Sequence, residues 1–99
     1  MVALLNPDDV DAGLAQLNGW TGDTSEIRRS YAAPDFPAAI RLVDAVAVAA
    51  EEMNHHPDMD IRWRTVHFTI STHSEGGVTE LDLKLAARID AAAADLGAA

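Results

Sequence analysis

From Val66 onward the chain alternates, with Val66, Phe68 and Ile70 apolar and His67, Thr69, Ser71 and His73 polar. A strand sends successive side chains to opposite faces, so this stretch demands a sheet with one face buried and the other open. Something must therefore cover that one face. Met59 to Trp63 reads as the partner strand, joined to Val66–Thr72 by a turn around Arg64-Thr65. Ile27, Arg29 and Tyr31 share a face if Glu26–Tyr31 is extended, and Trp20–Asp23 reads as its neighbour across a turn at Gly22–Ser25.

The cover is helical. Asn6-Pro7-Asp8-Asp9 supplies an N-cap, a proline at the first helical position and acids where the dipole favours them. Val10, Leu14 and Leu17 then keep helical spacing until Asn18-Gly19. Pro34-Asp35-Phe36-Pro37 opens a second helix, predicted to reach about His55, whose stripe Phe36, Ile40, Val43, Ala47, Ala50 and Met53 should face the sheet. Thr79-Glu80-Leu81-Asp82 resembles a capping box with Asp in place of Glu, and opens a third helix carrying Leu81, Leu85, Ile89, Ala92 and Leu96. The order helix, strand, strand, helix, strand, strand, helix gives an α+β fold: a single domain over residues 1–99 with a four-stranded antiparallel sheet and three helices on one face.

Composition narrows the function. The 99 residues are 48% hydrophobic, enough for one real core and too few for a second domain. Sixteen acidic against seven basic side chains leave a net charge of −9, which argues against direct binding to nucleic acid or anionic membranes. The absence of cysteine removes disulfides, thiolate metal sites and cysteine nucleophiles together. No basic leader and no apolar run of membrane length occurs, so the expected location is the cytoplasm.

The chemistry concentrates in four histidines, at 55, 56, 67 and 73. Imidazole exchanges protons near neutrality, and the clustering suggests proton transfer. His67 and His73 lie about 20 Å apart if both belong to one strand, so only one of them can join His55 and His56. His73, beside the Gly76-Gly77 turn, is the better partner. Pro57 drives His56 out of helical dihedrals, so both neighbouring imidazoles sit at a helix exit. Glu51, one turn before His55, is in reach to orient that ring. Two other uses stay open on the residues alone: the pair could simply cap the helix, or three imidazoles and a carboxylate could hold zinc, although adjacent histidines diverge and chelate poorly. Phosphate loops and nucleophile elbows are missing; Ser71 and Ser74 read as polar strand and turn residues, and Trp20 and Trp63 as packing residues.

The spacing of these residues carries a resemblance. Glu51, three residues, His55-His56-Pro57, five residues, Trp63, nine residues, His73, eight residues, Asp82 is similar throughout to the signature of the pterin-4a-carbinolamine dehydratases. Gly19-Trp20 and Ile70-Ser71-Thr72-His73 extend the likeness over nearly the whole chain. That family's fold is the one reasoned above. The resemblance implies dehydration of 4a-hydroxytetrahydropterin to the quinonoid dihydropterin, which recycles the tetrahydrobiopterin used by aromatic amino-acid hydroxylases, with neither cofactor nor metal. It implies His55, His56 and His73 around the pterin, with His55 and His73 as the acid/base pair. Glu51 would tune His55, Asp82 would orient a neighbouring imidazole, and Trp20 would wall the site. Pro57 belongs to the same binding signature, and Thr72, Ser74 and Glu75 would offer backbone polar groups to the ring. Such domains also act as dimerisation or assembly modules without catalysis, the alternative reading. Leu42, Val46 and Ala49, beside the sheet-facing stripe of the second helix, suggest a homodimer or homotetramer formed through that helix.

Overall fold

A computed structural model describes residues 2–99. Helix α1 (Pro7–Ala15) begins where Asn6 accepts the Asp9 amide at 2.8 Å. Strands β1 (Thr21–Gly22) and β2 (Ile27–Ala32) follow, then α2 (Phe36–Met53), β3 (Asp58–Arg62), β4 (Thr65–Ile70), one 3-10 turn (His73–Glu75) and α3 (Glu80–Asp95). The sheet is antiparallel in the order β1-β2-β4-β3, so the last hairpin is joined to the first through β2 and β4. This is the α+β arrangement reasoned from the pattern. No helix is long and apolar enough to cross a membrane.

Alternation decides which sheet face is covered. Ile27, Tyr31, Val66, Phe68 and Ile70 are buried beneath the helices, and Arg28, Ser30, Thr65, His67 and Thr69 line the opposite, more open face. Tyr31 and Phe68 meet edge to face, centroids 6.0 Å apart. At one edge, β3 is exposed along its whole length.

Four expectations need correction. The packed face of α2 is turned from the expected one: Leu42, Val46 and Ala49 are buried with Ala38, Ala39 and Ala50, whereas of the expected stripe only Ala50 is buried, Val43 and Met53 pack partly against the core, Ile40 is half-buried, and Phe36 and Ala47 are exposed. Small alanine side chains let α2 approach its neighbours closely, so the alanine-rich face is the one that packs. The third strand and the hairpin turn sit one residue earlier than expected, with Trp63-Arg64 as the two-residue turn between paired Arg62 and Thr65. Trp63 takes a left-handed conformation, φ 55°, and its ring is 74% exposed, so it packs in no core. β4 ends at Ile70, which moves His73 off the strand into the 3-10 turn.

Candidate active site

α2 ends two residues before the expected His55. Asn54 adopts φ 49°, ψ 44°, and the His55 amide closes back on the Ala50 carbonyl at 3.0 Å. Asparagine tolerates this left-handed turn better than most residues, which is why the helix stops there. The reversal gives the two imidazoles different surroundings. His55 turns inward and is 8% exposed; His56 turns outward.

Each ring then finds its own carboxylate. His55 Nε2 donates to Asp82 Oδ1 at 2.6 Å, and His56 Nε2 pairs with Glu51 Oε2 at 2.6 Å. The expected pairing of Glu51 with His55 is thus replaced, because the left-handed residue breaks the helical spacing it required. Asp82 has no exposed surface. Its Oδ2 accepts from the Thr79 amide and the Thr72 hydroxyl, both at 2.8 Å, completing the capping box that starts α3.

His73 arrives from the other side. Thr72 bridges to Gly77, its amide bonding the Gly77 carbonyl at 2.9 Å, and the residues between make the tight turn that carries His73. Gly76 closes that turn at φ 77°, where a side chain would be strained. Gly77 is pressed against the Thr24 carbonyl, which an added Cβ would meet at 2.6 Å.

The two segments enclose an open cavity of about 250 Å³. Asn54, His55 and His56 form one wall; Ser71, Thr72, His73 and Ser74 form the other. His55, His56 and His73 therefore border one space. His67 is elsewhere, on the open sheet face with Ser30 as its partner. Of the other expected binding residues, Glu51 and Asp82 stand behind the imidazoles, and Pro57 and Glu75 are half-buried beside the cavity without lining it.

Trp20 does not wall this space. Its indole is buried, and Nε1 donates at 2.8 Å to Asp90, two turns along α3 from Asp82. Arg29 and the Tyr31 hydroxyl donate to the same oxygen of Asp90, and the Asn18 amide to the other, so Trp20 helps tie the loop before β1 to β2 and α3. Ser71, read from sequence as a polar strand residue, lines the cavity, and so does Asn54, to which no role was assigned from sequence. The only signal for Asn54 was a left-handed-tolerant residue directly before His55-His56-Pro57. Among the described residues no three His, Cys, Asp or Glu side chains converge as a metal-binding group.

The chemical capacity of the site is proton exchange: imidazoles that can give or take a proton, one backed by a buried carboxylate, around an open space. Comparison with known proteins gives the family. The family model described as pterin 4 alpha carbinolamine dehydratase matches residues 3–92. A Nocardia farcinica protein named for pterin-4-alpha-carbinolamine dehydratase is 55% identical over 87 residues, 88% of this chain and 92% of its own. A crystal structure of a transcriptional coactivator/pterin dehydratase from Brucella melitensis superposes with a TM-score of 0.87 at 36% identity, covering 90% of this chain and 97% of that one. A pterin dehydratase-like protein identified as a RuBisCO assembly factor in the alpha-carboxysome is more distant, with a TM-score of 0.64 and 25% identity over 77% of this chain and 90% of its own. By the family model, the extent of the identity and the shared fold, the chain belongs to the pterin-4-alpha-carbinolamine dehydratase family.

Proposed function

We propose that this chain is a hydro-lyase that dehydrates 4a-hydroxytetrahydropterin to quinonoid dihydropterin in tetrahydrobiopterin recycling. The observation that carries the reading is the meeting of His55, His56 and His73 around one cavity. In the reaction the C4a–O bond breaks, a proton leaves the adjacent ring nitrogen, and a C=N bond forms between the two. One group must accept the nitrogen proton and another must protonate the departing hydroxyl, so that water leaves. His55, backed by Asp82, and His73, on the facing turn, take these two roles across the cavity, and His56 binds the pterin beside them. Asn54, Ser71 and the backbone from Thr72 to Ser74 offer donors and acceptors to the ring.

The experiment is turnover of synthetic 4a-hydroxytetrahydropterin, followed through the absorbance of the quinonoid product with and without chelator. His55→Ala is expected to lose about 10²- to 10⁴-fold in rate with far-UV dichroism unchanged. Full activity in that variant would end the reading, and loss on chelation would bring a metal into it.

A second reading has its own support. The exposed Phe36, Ala47 and Val48 of α2 offer an apolar surface, and one relative is named as an assembly factor. On this reading the chain associates with itself through the outward flank of α2 and serves as an assembly module. The two readings separate on the histidines, which an assembly module does not need.

A further inference from the structure

Behind the cavity lies a hydroxyl that the mechanism above does not use, that of Thr79, whose residue has no exposed surface. Its hydrogen bonds can be followed atom by atom. A carboxylate only accepts, so the single hydroxyl proton of Thr72 is committed to Asp82 Oδ2, 2.8 Å away. The Thr72 and Thr79 hydroxyls are 2.7 Å apart, and Thr72 has no proton left to give; Thr79 is therefore the donor between them. Thr79 in turn accepts from the Leu81 amide at 3.2 Å. The chain runs one way only, from the N-terminal amides of α3 through Thr79 and Thr72 to Asp82, each bond polarising the next.

The carboxylate itself fixes the far end. With Oδ2 occupied by two donors, Oδ1 is the oxygen that meets His55 Nε2 at 2.6 Å, and His55 must carry its proton there. A neutral imidazole has one N–H, so Nδ1 is left bare. The Thr72 backbone also roots the turn that carries His73, bonding the Gly77 carbonyl at 2.9 Å. One carboxylate thus anchors His55 through one oxygen and the base of the His73 turn through the other.

We propose that Thr79 is a positioning residue: by ordering Thr72 it fixes where the Asp82 carboxylate meets the His55 Nε2–H, the tautomer in which Nδ1 is the nitrogen presented to the substrate proton. The catalytic consequence rests on the dehydratase reading. The tautomer does not, and can be measured without substrate.

Long-range ¹H–¹⁵N correlation spectra of the free wild-type chain, above the pH at which imidazole titrates, are expected to show His55 protonated on Nε2 and bare on Nδ1. In Thr79→Val Asp82 still only accepts, so the tautomer is expected to persist while the His55 Nε2–H resonance shifts and kcat falls about tenfold, with KM changed by less than about twofold. Thr79→Ser, which keeps the hydroxyl, restores both. A wild-type His55 protonated on Nδ1 overturns the proposal, as does a Thr79→Val protein with the Nε2–H resonance and kcat unchanged. If Thr79→Val does not fold, Thr72→Val and the wild-type spectrum make the same decision, since Thr72 is the next member of the chain. An Nε2–H His55 in a protein that does not turn over 4a-hydroxytetrahydropterin overturns the dehydratase reading and leaves the relay standing.

Discussion

Asp82 and His55, 27 residues apart, meet at 2.6 Å with the carboxylate wholly buried and the imidazole nearly so. The contact joins the start of α3 to the end of α2, and it gives one aspartate two duties: capping a helix and orienting a ring.

Asp82→Asn separates those duties from mere bulk. The amide oxygen would stay with the Thr72 and Thr79 donors and its N–H would face His55 Nε2, which can accept it only in the opposite tautomer; the bonds to a charged carboxylate are lost, at a cost of about 1–3 kcal/mol. In a domain of this size that lowers the melting temperature by roughly 4–20 °C, measurable by calorimetry, together with a loss of turnover. A melting temperature within experimental error of wild type would contradict the burial described.

Glu51→Gln should behave differently. The His56–Glu51 pair is as short as that of His55, yet both side chains are more than half exposed, and exposed pairs contribute about 0–1 kcal/mol. The expected outcome in a thermal melt is a shift of only a few degrees. A drop matching that of Asp82→Asn would show that His56 is buried in solution.

His73→Ala and His67→Ala make a paired test of which imidazoles act. His73 borders the cavity, whereas His67 sits with Ser30 on the open sheet face. The former should lose about 10²- to 10⁴-fold in turnover, the latter little. Equal losses would sink the placement of the site.

Gly77→Ala probes the turn that delivers His73. The new methyl would press on the Thr24 carbonyl, which also accepts the Val78 amide at 2.8 Å. Overpacking of this kind costs about 1–3 kcal/mol. Chemical denaturation should show the loss, and turnover should fall with it as the turn shifts; wild-type values for both would refute the tight fit.

Association through α2 is tested on its outward flank. Phe36→Glu with Ala47→Glu is expected to turn an oligomer into a monomer in sedimentation at micromolar concentration, leaving dichroism intact. A wild-type chain that sediments as a monomer rejects this interface.

Much of the fold was legible because its patterns are local. The alternation of Val66, Phe68 and Ile70 states which face of β4 is covered, and Asn6-Pro7 and Thr79…Asp82 mark helix starts through contacts three residues long. Helix-face assignment was less secure, because α2 is apolar around much of its circumference and alanine counts as weakly apolar from sequence, whereas close packing favours it. The residue types of the site were readable from spacing, but the pairing was not. A single left-handed residue, Asn54, turns His55 toward Asp82 and gives Glu51 to His56, and nothing local in the sequence announces which ring goes which way. Trp20 is the packing residue that its type suggests, and the role in the site that the resemblance implies is not met because its partner, Asp90, lies 70 residues away.

The chain has two tryptophans, one sealed at 4% exposure and the other standing in water at 74%. Their fluorescence should therefore divide into a blue-shifted emitter that aqueous quenchers reach slowly and a red-shifted one that they reach at once. Trp20 would report loss of the core, and Trp63 would report anything that settles on the tip of the last hairpin, so a single cuvette experiment can follow unfolding and contacts at that tip as separate signals.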